Sequence, residues 1–170
     1  THRSVAKKNN ERLEFLGDSI LNSTTAIWLY HRFPDISEGK LSRMRSTLVK
    51  GETLAEVARK YDLGVQLKLG IGELKSGGFN RSSVLADAVE AVFGAVFIYK
   101  GFEEAQGFIL KVMDDWFEKA DPNVTDKDAK TRLQEYLQQN SMQIPSYTLI
   151  AEKGKDHRKT FEVQCDVKEL

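Results

Sequence analysis

Acidic side chains recur at a regular spacing in residues 10–21, and their type and spacing suit metal chemistry. If this stretch is a helix, its turn of about 100° per residue places Glu11, Glu14 and Asp18 within an arc of about 60°. A second set of residues, all apolar, falls on the opposite side: Leu13, Leu16, Ile20 and Ile27. The pattern predicts a helix that packs through one face and presents carboxylates from the other.

A solvated acidic surface is the common explanation of such a trio. Two features argue against it. No lysine follows these acids four residues later, where it would relieve their mutual repulsion. Phe15 projects close to the acids and away from the apolar stripe, and an aromatic side chain outside a core often contacts another surface. We interpret this helix as a cation site beside an interface.

A second pair of acids lies in an unusually apolar stretch, residues 83–97. Asp87 and Glu90 are three residues apart, so they share one face of a helix. The apolar residues on the other side are Leu85, Val89, Val92 and Val96. We expect this helix to be largely buried, and unpaired buried charge is expensive, so the two acids are interpreted as ligands.

The two helices together would supply four carboxylates if they pack side by side: Glu14, Asp18, Asp87 and Glu90. Like charges this close cannot all ionise without a counter-charge. An all-oxygen donor set favours Mg²⁺, or Mn²⁺ in its place, over zinc or iron, and neither helix has the Glu-x-x-His pair of a di-iron bundle. The chemistry that fits is metal-activated water attacking a phosphodiester.

The run Asn-Glu-Arg-Leu-Glu-Phe-Leu-Gly-Asp-Ser at residues 10–19 resembles the signature of the ribonuclease III endonucleases. Residues 85–91 resemble the second acidic motif of that family, and residues 37–45 and 72–78 resemble its connecting segments. The resemblance implies a homodimer that hydrolyses double-stranded RNA in rRNA and mRNA processing. Its products would carry 5′-phosphates, 3′-hydroxyls and short 3′ overhangs.

The same resemblance implies roles for individual residues. Asp18 and Glu90 would be the catalytic carboxylates among the four metal ligands. Glu11 and Glu38 would form a secondary acidic patch, although Glu38 also suits the first turn of a helix, where the dipole favours an acid. Phe15 would occupy a pocket on the partner subunit.

A glycine-rich loop lies between residues 70 and 78. It lacks the spacing of a phosphate-binding P-loop, so no nucleotide cofactor is expected. It could be a mobile surface loop. With Lys75 and Arg81 at its flanks, it could instead contact an RNA backbone, as the resemblance implies.

The chain is expected to have two domains. Residues 1–120 would be the catalytic domain, with a preceding family helix expected to be missing, and 121–127 a polar, proline-containing linker. Residues 128–170 follow a helix, strand, turn, strand pattern that resembles the N-terminal half of a double-stranded RNA-binding domain. There Gln134 and Gln138 would face a minor groove, and His157 would reach a second one. The fold class is therefore mainly α: an all-helical endonuclease domain followed by a partial α+β RNA-binding domain.

Composition adds weaker constraints. Basic and acidic residues number 25 each, so local patches must provide any RNA binding. The single cysteine, Cys165, cannot form an internal disulfide and is expected to be buried in a protein of the reducing cytoplasm. The longest apolar run, residues 91–99, is too short to span a bilayer, and no signal peptide is evident, so no membrane association is expected.

Two other functions are compatible with these residues. One is a non-catalytic protein that binds double-stranded RNA on the same fold, although it would have no reason to keep four acids. The other is a metal phosphoesterase for small nucleotides, which would leave the RNA-binding half unexplained.

Overall fold

The computed structural model describes residues 1–2, 5, 9–122, 129–154 and 159–167. The chain divides into two compact units, residues 1–125 and 126–170. The described part of the first unit is helical, and the second unit combines one helix with two strands, so the predicted fold class is confirmed.

The described residues of the first unit form seven α-helices: α1 (Glu11–Arg32), α2 (Glu38–Leu48), α3 (Gly51–Lys60), α4 (Ile71–Lys75), α5 (Ser82–Lys100), α6 (Phe102–Val112) and α7 (Asp114–Glu118). The sequence explains both ends of α1. The Asn9 side-chain oxygen accepts a hydrogen bond from the Glu11 amide at 3.0 Å, which caps the first turn. Pro34 follows directly after the C-cap residue Phe33, and proline has no amide hydrogen to continue the helix.

Helix α5 is the centre of this unit. By length and composition alone it could cross a membrane, but Leu85, Val89 and Phe93 are buried in the core, where α5 packs against α1, α3 and α6. Further fully buried side chains of that core are Leu21, Leu29, Leu54 and Ile109 from the surrounding helices, and Met113 from the junction of α6 and α7. Hydrophobic burial on several sides therefore fixes the position of the helix that carries Asp87 and Glu90.

Two glycines let the backbones of α1 and α5 touch. A Cβ atom on Gly17 would lie 1.8 Å from the carbonyl oxygen of Glu90, and one on Gly94 would lie 2.2 Å from the carbonyl oxygen of Leu13. Real Cβ atoms cannot approach that closely, so only glycine fits at either position. The crossing lies within one turn of Glu14, Asp18 and Glu90, and it brings the acids of the two helices together.

The buried face of α1 differs from the predicted apolar stripe. Ile27 is 41% exposed, whereas Thr24 and Thr25 are fully buried. The glycine crossing explains the difference. Helix α5 approaches α1 most closely at these small residues, so the face of α1 that carries Gly17 is the face that packs against α5. The prediction that Ile27 anchors the helix was wrong.

Helix α6 ends at Val112 and α7 begins at Asp114, with the buried residue Met113 between them. One further expectation needs correction. The glycine-rich stretch is not an open loop, because it contains helix α4 and a 3₁₀ turn at Gly78–Asn80. An ion pair of 3.1 Å between Arg81 and Glu73 closes this segment on itself.

The second unit contains α8 (Ala129–Gln139) and the antiparallel strands β1 (Ser146–Lys153) and β2 (Thr160–Asp166). The strand register shifts between Leu149 and Ala151. Cys165, in β2, was expected to be buried, but it is exposed because all residues of this strand are exposed in the two-stranded sheet.

Candidate active site

Carboxylates from α1 and α5 meet beside the glycine crossing. One carboxylate oxygen from each of Glu14, Asp87 and Glu90 can be chosen so that all lie within 4.8 Å of one another. All three residues are half-buried, whereas Asp18, one turn beyond Glu14 on α1, is exposed. The four predicted ligands are thus on the two helices that the glycines hold in contact.

The carboxyl group of Glu90 is strongly perturbed by its surroundings. Burial, followed by the charges of Asp18, Asp87 and Glu14 in that order of importance, raises the pKa of its carboxyl to about 8. The Asp18 carboxylate therefore acts on Glu90 even though it is not part of the closest trio. Glu90 cannot ionise readily at neutral pH unless a positive charge is supplied.

The donor set is chemically suited to a divalent cation. Glu14, Asp87 and Glu90 offer oxygen atoms only, and hard cations such as Mg²⁺ prefer carboxylate oxygen. A cation at this cluster would offset the repulsion that holds Glu90 protonated. The residues present fit a divalent metal requirement.

The raised pKa of Glu90 predicts how stability depends on pH without metal. Its folded value of about 8 exceeds the ordinary 4.5, so the folded protein keeps a proton that the unfolded chain releases. The free energy of unfolding should therefore fall as pH rises from about 4.5 to 8. Differential scanning fluorimetry in EDTA should show this decline in wild-type protein and a flatter profile in Glu90→Gln. Parallel profiles would contradict the assignment.

Glu11 lies next to the cluster and Glu38 does not share its cavity. A small cavity of about 40 Å³ is lined by five residues: His2, Asn10, Glu11, Glu14 and Asp87. Glu38 is at the exposed start of α2, where its carboxylate accepts a hydrogen bond of 2.7 Å from the Ser42 hydroxyl. The structure thus brings Glu11 to the site, while the secondary patch that pairs it with Glu38 stays a prediction.

His2 and Asn22 are two neighbours of the acids that the sequence analysis did not assign to the site. The backbone amide of His2 donates to the Lys68 carbonyl at 3.0 Å, which fixes the segment that lines the cavity. Nothing in the spacing of His2 indicates this contact. Asn22 donates to Asp18, and its position four residues after Asp18 was a usable signal, because such pairs are neighbours on a helix.

The residues predicted to contact RNA are placed as follows. Lys75 is exposed in α4, and Arg81 contacts Glu73 and the Ser76 hydroxyl, the latter at 3.1 Å. On α8, Gln134 is half-buried and Gln138 is exposed. His157 lies outside the described residues. These RNA contacts stay predictions.

Phe15 is 77% exposed on α1, one residue after Glu14. The large apolar surface of an exposed aromatic ring is typical of a residue that contacts another protein surface. Its predicted role in a dimer is consistent with this exposure and stays a prediction.

Comparison with known proteins shows to which family this chain is similar. The Ribonuclease-III-like family model matches residues 1–116, and the double-stranded RNA binding motif matches residues 129–170. Ribonuclease 3 of Vibrio campbellii is 55% identical over 98% of this chain and 74% of its own length. Ribonuclease 3 of Thiobacillus denitrificans is 53% identical over 97% and 73% of the two chains.

Solved structures agree. The nuclease domain of ribonuclease III from Campylobacter jejuni superposes with a TM-score of 0.67 at 38% identity, covering 69% of this chain and 82% of that one. Dicer from Pichia stipitis gives a TM-score of 0.58 at 29% identity, covering 98% and 78%. The chain belongs to the ribonuclease III family. It is an endoribonuclease that acts on double-stranded RNA, as the sequence predicted.

Proposed function

We propose that Glu14, Asp18, Asp87 and Glu90 hold Mg²⁺, for which Mn²⁺ can substitute, and that this site hydrolyses the phosphodiesters of duplex RNA. The observation that carries the proposal is the convergence of half-buried carboxylates from α1 and α5 within 4.8 Å. A bound cation would activate the attacking water and stabilise the leaving oxygen. Cleavage would leave a 5′-phosphate and a 3′-hydroxyl.

The acidic residues of the site have different proposed roles, which follow from their positions. Glu90, the acid whose pKa is raised to about 8, gives the site its greatest affinity for positive charge. Asp18 is exposed, so its carboxylate would be accessible to a bound RNA backbone. Glu11 extends the negative surface through the cavity that it shares with Glu14 and Asp87. Glu38 would join this secondary patch on the RNA side.

The choice of metal can be tested directly. EDTA-treated protein should cleave a labelled RNA duplex only after Mg²⁺ or Mn²⁺ is added, because oxygen ligands suit both ions. Recovery with Zn²⁺ but not with Mg²⁺ would contradict the proposal, since zinc sites in proteins are built mainly from histidine and cysteine.

We further propose that the protein is a homodimer and that two such sites each cut one strand, leaving short 3′ overhangs. The support is the 77% exposure of Phe15 beside the acids. The structure from Campylobacter jejuni was described with a flexible region that is involved in dimer formation of its nuclease domain. Closed two-fold pairing would also match the two strands of a duplex.

Phe15→Ala should weaken this dimer. Burial of an aromatic anchor in an interface is worth about 2 kcal/mol or more, so the dimer dissociation constant should rise by about 30-fold or more. Sedimentation velocity over a concentration series measures it. Val65→Ala is the control, because Val65 is 74% exposed on a 3₁₀ turn away from α1. An unchanged dissociation constant for Phe15→Ala would exclude the pocket.

The remaining proposals concern partners and location. Lys75 and Arg81 would meet the RNA backbone, and Gln134, Gln138 and His157 would contact minor grooves. The protein would act in the cytoplasm on rRNA and mRNA precursors, without a membrane and without a nucleotide cofactor. Equal numbers of acidic and basic residues support local basic contacts over a generally positive surface.

A further inference from the structure

Asn22 makes two hydrogen bonds to the same residue of the proposed metal site. Its side-chain amide nitrogen lies 2.8 Å from the Asp18 carboxylate oxygen Oδ1 and 3.0 Å from the Asp18 backbone carbonyl oxygen. Asn22 is half-buried and one helical turn after Asp18 on α1. The helix backbone thus fixes the amide, and the amide in turn fixes the carboxylate.

Asp18 needs such a partner because it is exposed. An exposed aspartate samples several side-chain rotamers, and all but one of them are lost when the carboxylate binds an ion. The bond from Asn22 occupies Oδ1 and selects one orientation in advance. Asp18 can then meet a cation with a smaller loss of side-chain entropy.

The chemical type of the partner is also informative. A lysine four residues after an acid would form an ion pair on the helix surface. It would also place a positive charge where the proposed site needs a metal. A neutral amide donates a hydrogen bond to Asp18 and leaves its negative charge available.

We propose that Asn22 is a positioning residue for metal binding, which orients the Asp18 carboxylate without neutralising it. The proposal rests on the proposed function of Asp18 as a metal ligand. Partners that orient metal ligands typically affect metal affinity or activity by about 10- to 100-fold. Asn22→Ala should therefore weaken Mn²⁺ binding by about tenfold.

Binding of Mn²⁺ alone to the RNA-free protein, followed by electron paramagnetic resonance, is the primary measurement. The Mn²⁺ dissociation constant should rise by about tenfold in Asn22→Ala and further in Asn22→Lys, which adds a competing charge. The Mg²⁺ concentration for half-maximal cleavage should rise in parallel, while KM for duplex RNA stays unchanged. Ser19→Ala is the matched control, because the Ser19 hydroxyl donates to the Phe15 carbonyl of the same helix, at 3.3 Å, and among the described residues it makes no hydrogen bond to Asp18.

If Asn22 only stabilised the helix, its replacement would lower the melting temperature. Alanine and lysine are better helix formers than asparagine, so both variants should keep the melting temperature or raise it. Equal Mn²⁺ affinity in wild type, Asn22→Ala and Asn22→Lys would overturn the inference. If wild-type protein itself binds no Mn²⁺, the proposed metal site fails and this inference fails with it.

Discussion

Glu90→Gln is expected to abolish cleavage of duplex RNA while leaving duplex binding at the wild-type level. The carboxyl of Glu90 combines burial with the repulsion of three neighbouring acids, so its ionised form needs a cation. Glutamine keeps its size but cannot supply negative charge to a metal. Losing several kcal/mol of transition-state stabilisation corresponds to roughly a 10³-fold lower single-turnover rate.

Three comparisons make that result interpretable. Glu103→Gln is the matched control, because Glu103 is exposed in the first turn of α6, away from the cluster. Duplex binding is measured by electrophoretic mobility shift in EDTA, where no cleavage occurs. The melting temperature of Glu90→Gln should equal or exceed that of wild type above pH 8, since a buried charge is removed. A Glu90→Gln enzyme that cleaves at the wild-type rate in saturating Mg²⁺ would refute the site assignment.

Gly17→Ala is expected to produce the largest loss of stability of any single methyl addition in the first unit. The new Cβ would lie 1.8 Å from the Glu90 carbonyl oxygen, a backbone atom in the middle of α5 that cannot move alone. The helices must separate, and overpacking of this kind costs about 1–3 kcal/mol or more. Because Glu14 and Asp18 flank Gly17, the separation should also disperse the carboxylates and weaken Mn²⁺ binding.

Gly107→Ala, the same substitution at another position, is expected to have the opposite effect on stability. Gly107 lies within α6, and a Cβ there would meet no atom within 4 Å in the described structure. Alanine should stabilise this helix by about 0.5–1 kcal/mol. Urea unfolding of both variants compares the two free energies. A Gly17→Ala protein as stable as Gly107→Ala would show that α1 and α5 do not touch at this crossing.

Helical periodicity was enough to predict which helices carry the acids. The spacing of Glu14 with Asp18, and of Asp87 with Glu90, placed each pair on one face, and the structure has both pairs on α1 and α5. The packing of these two helices against each other was only a condition of the sequence analysis, and the structure shows that they do pack together. Their assignment as ligands still awaits the metal experiments.

Contacts between segments distant in the chain were out of reach of the sequence. The Gly17–Gly94 crossing is an example, because a glycine inside a helix lowers stability and signals a close approach without naming the partner. The same limit explains Ile27, whose exposure follows from the side of α1 that α5 covers. Helix α4 was missed for a local reason, because it has five residues and the glycines on both sides of it indicate a loop.

The carboxylates of α1 and α5 are proposed to form a metal-dependent centre that cuts both strands of duplex RNA. The most direct measurement incubates the protein with an end-labelled perfect RNA duplex, with and without Mg²⁺, and maps the ends of the products. Metal-dependent cuts on both strands, offset to leave short 3′ overhangs with 5′-phosphates, are the predicted result. Duplex binding without cleavage in either Mg²⁺ or Mn²⁺ would contradict it.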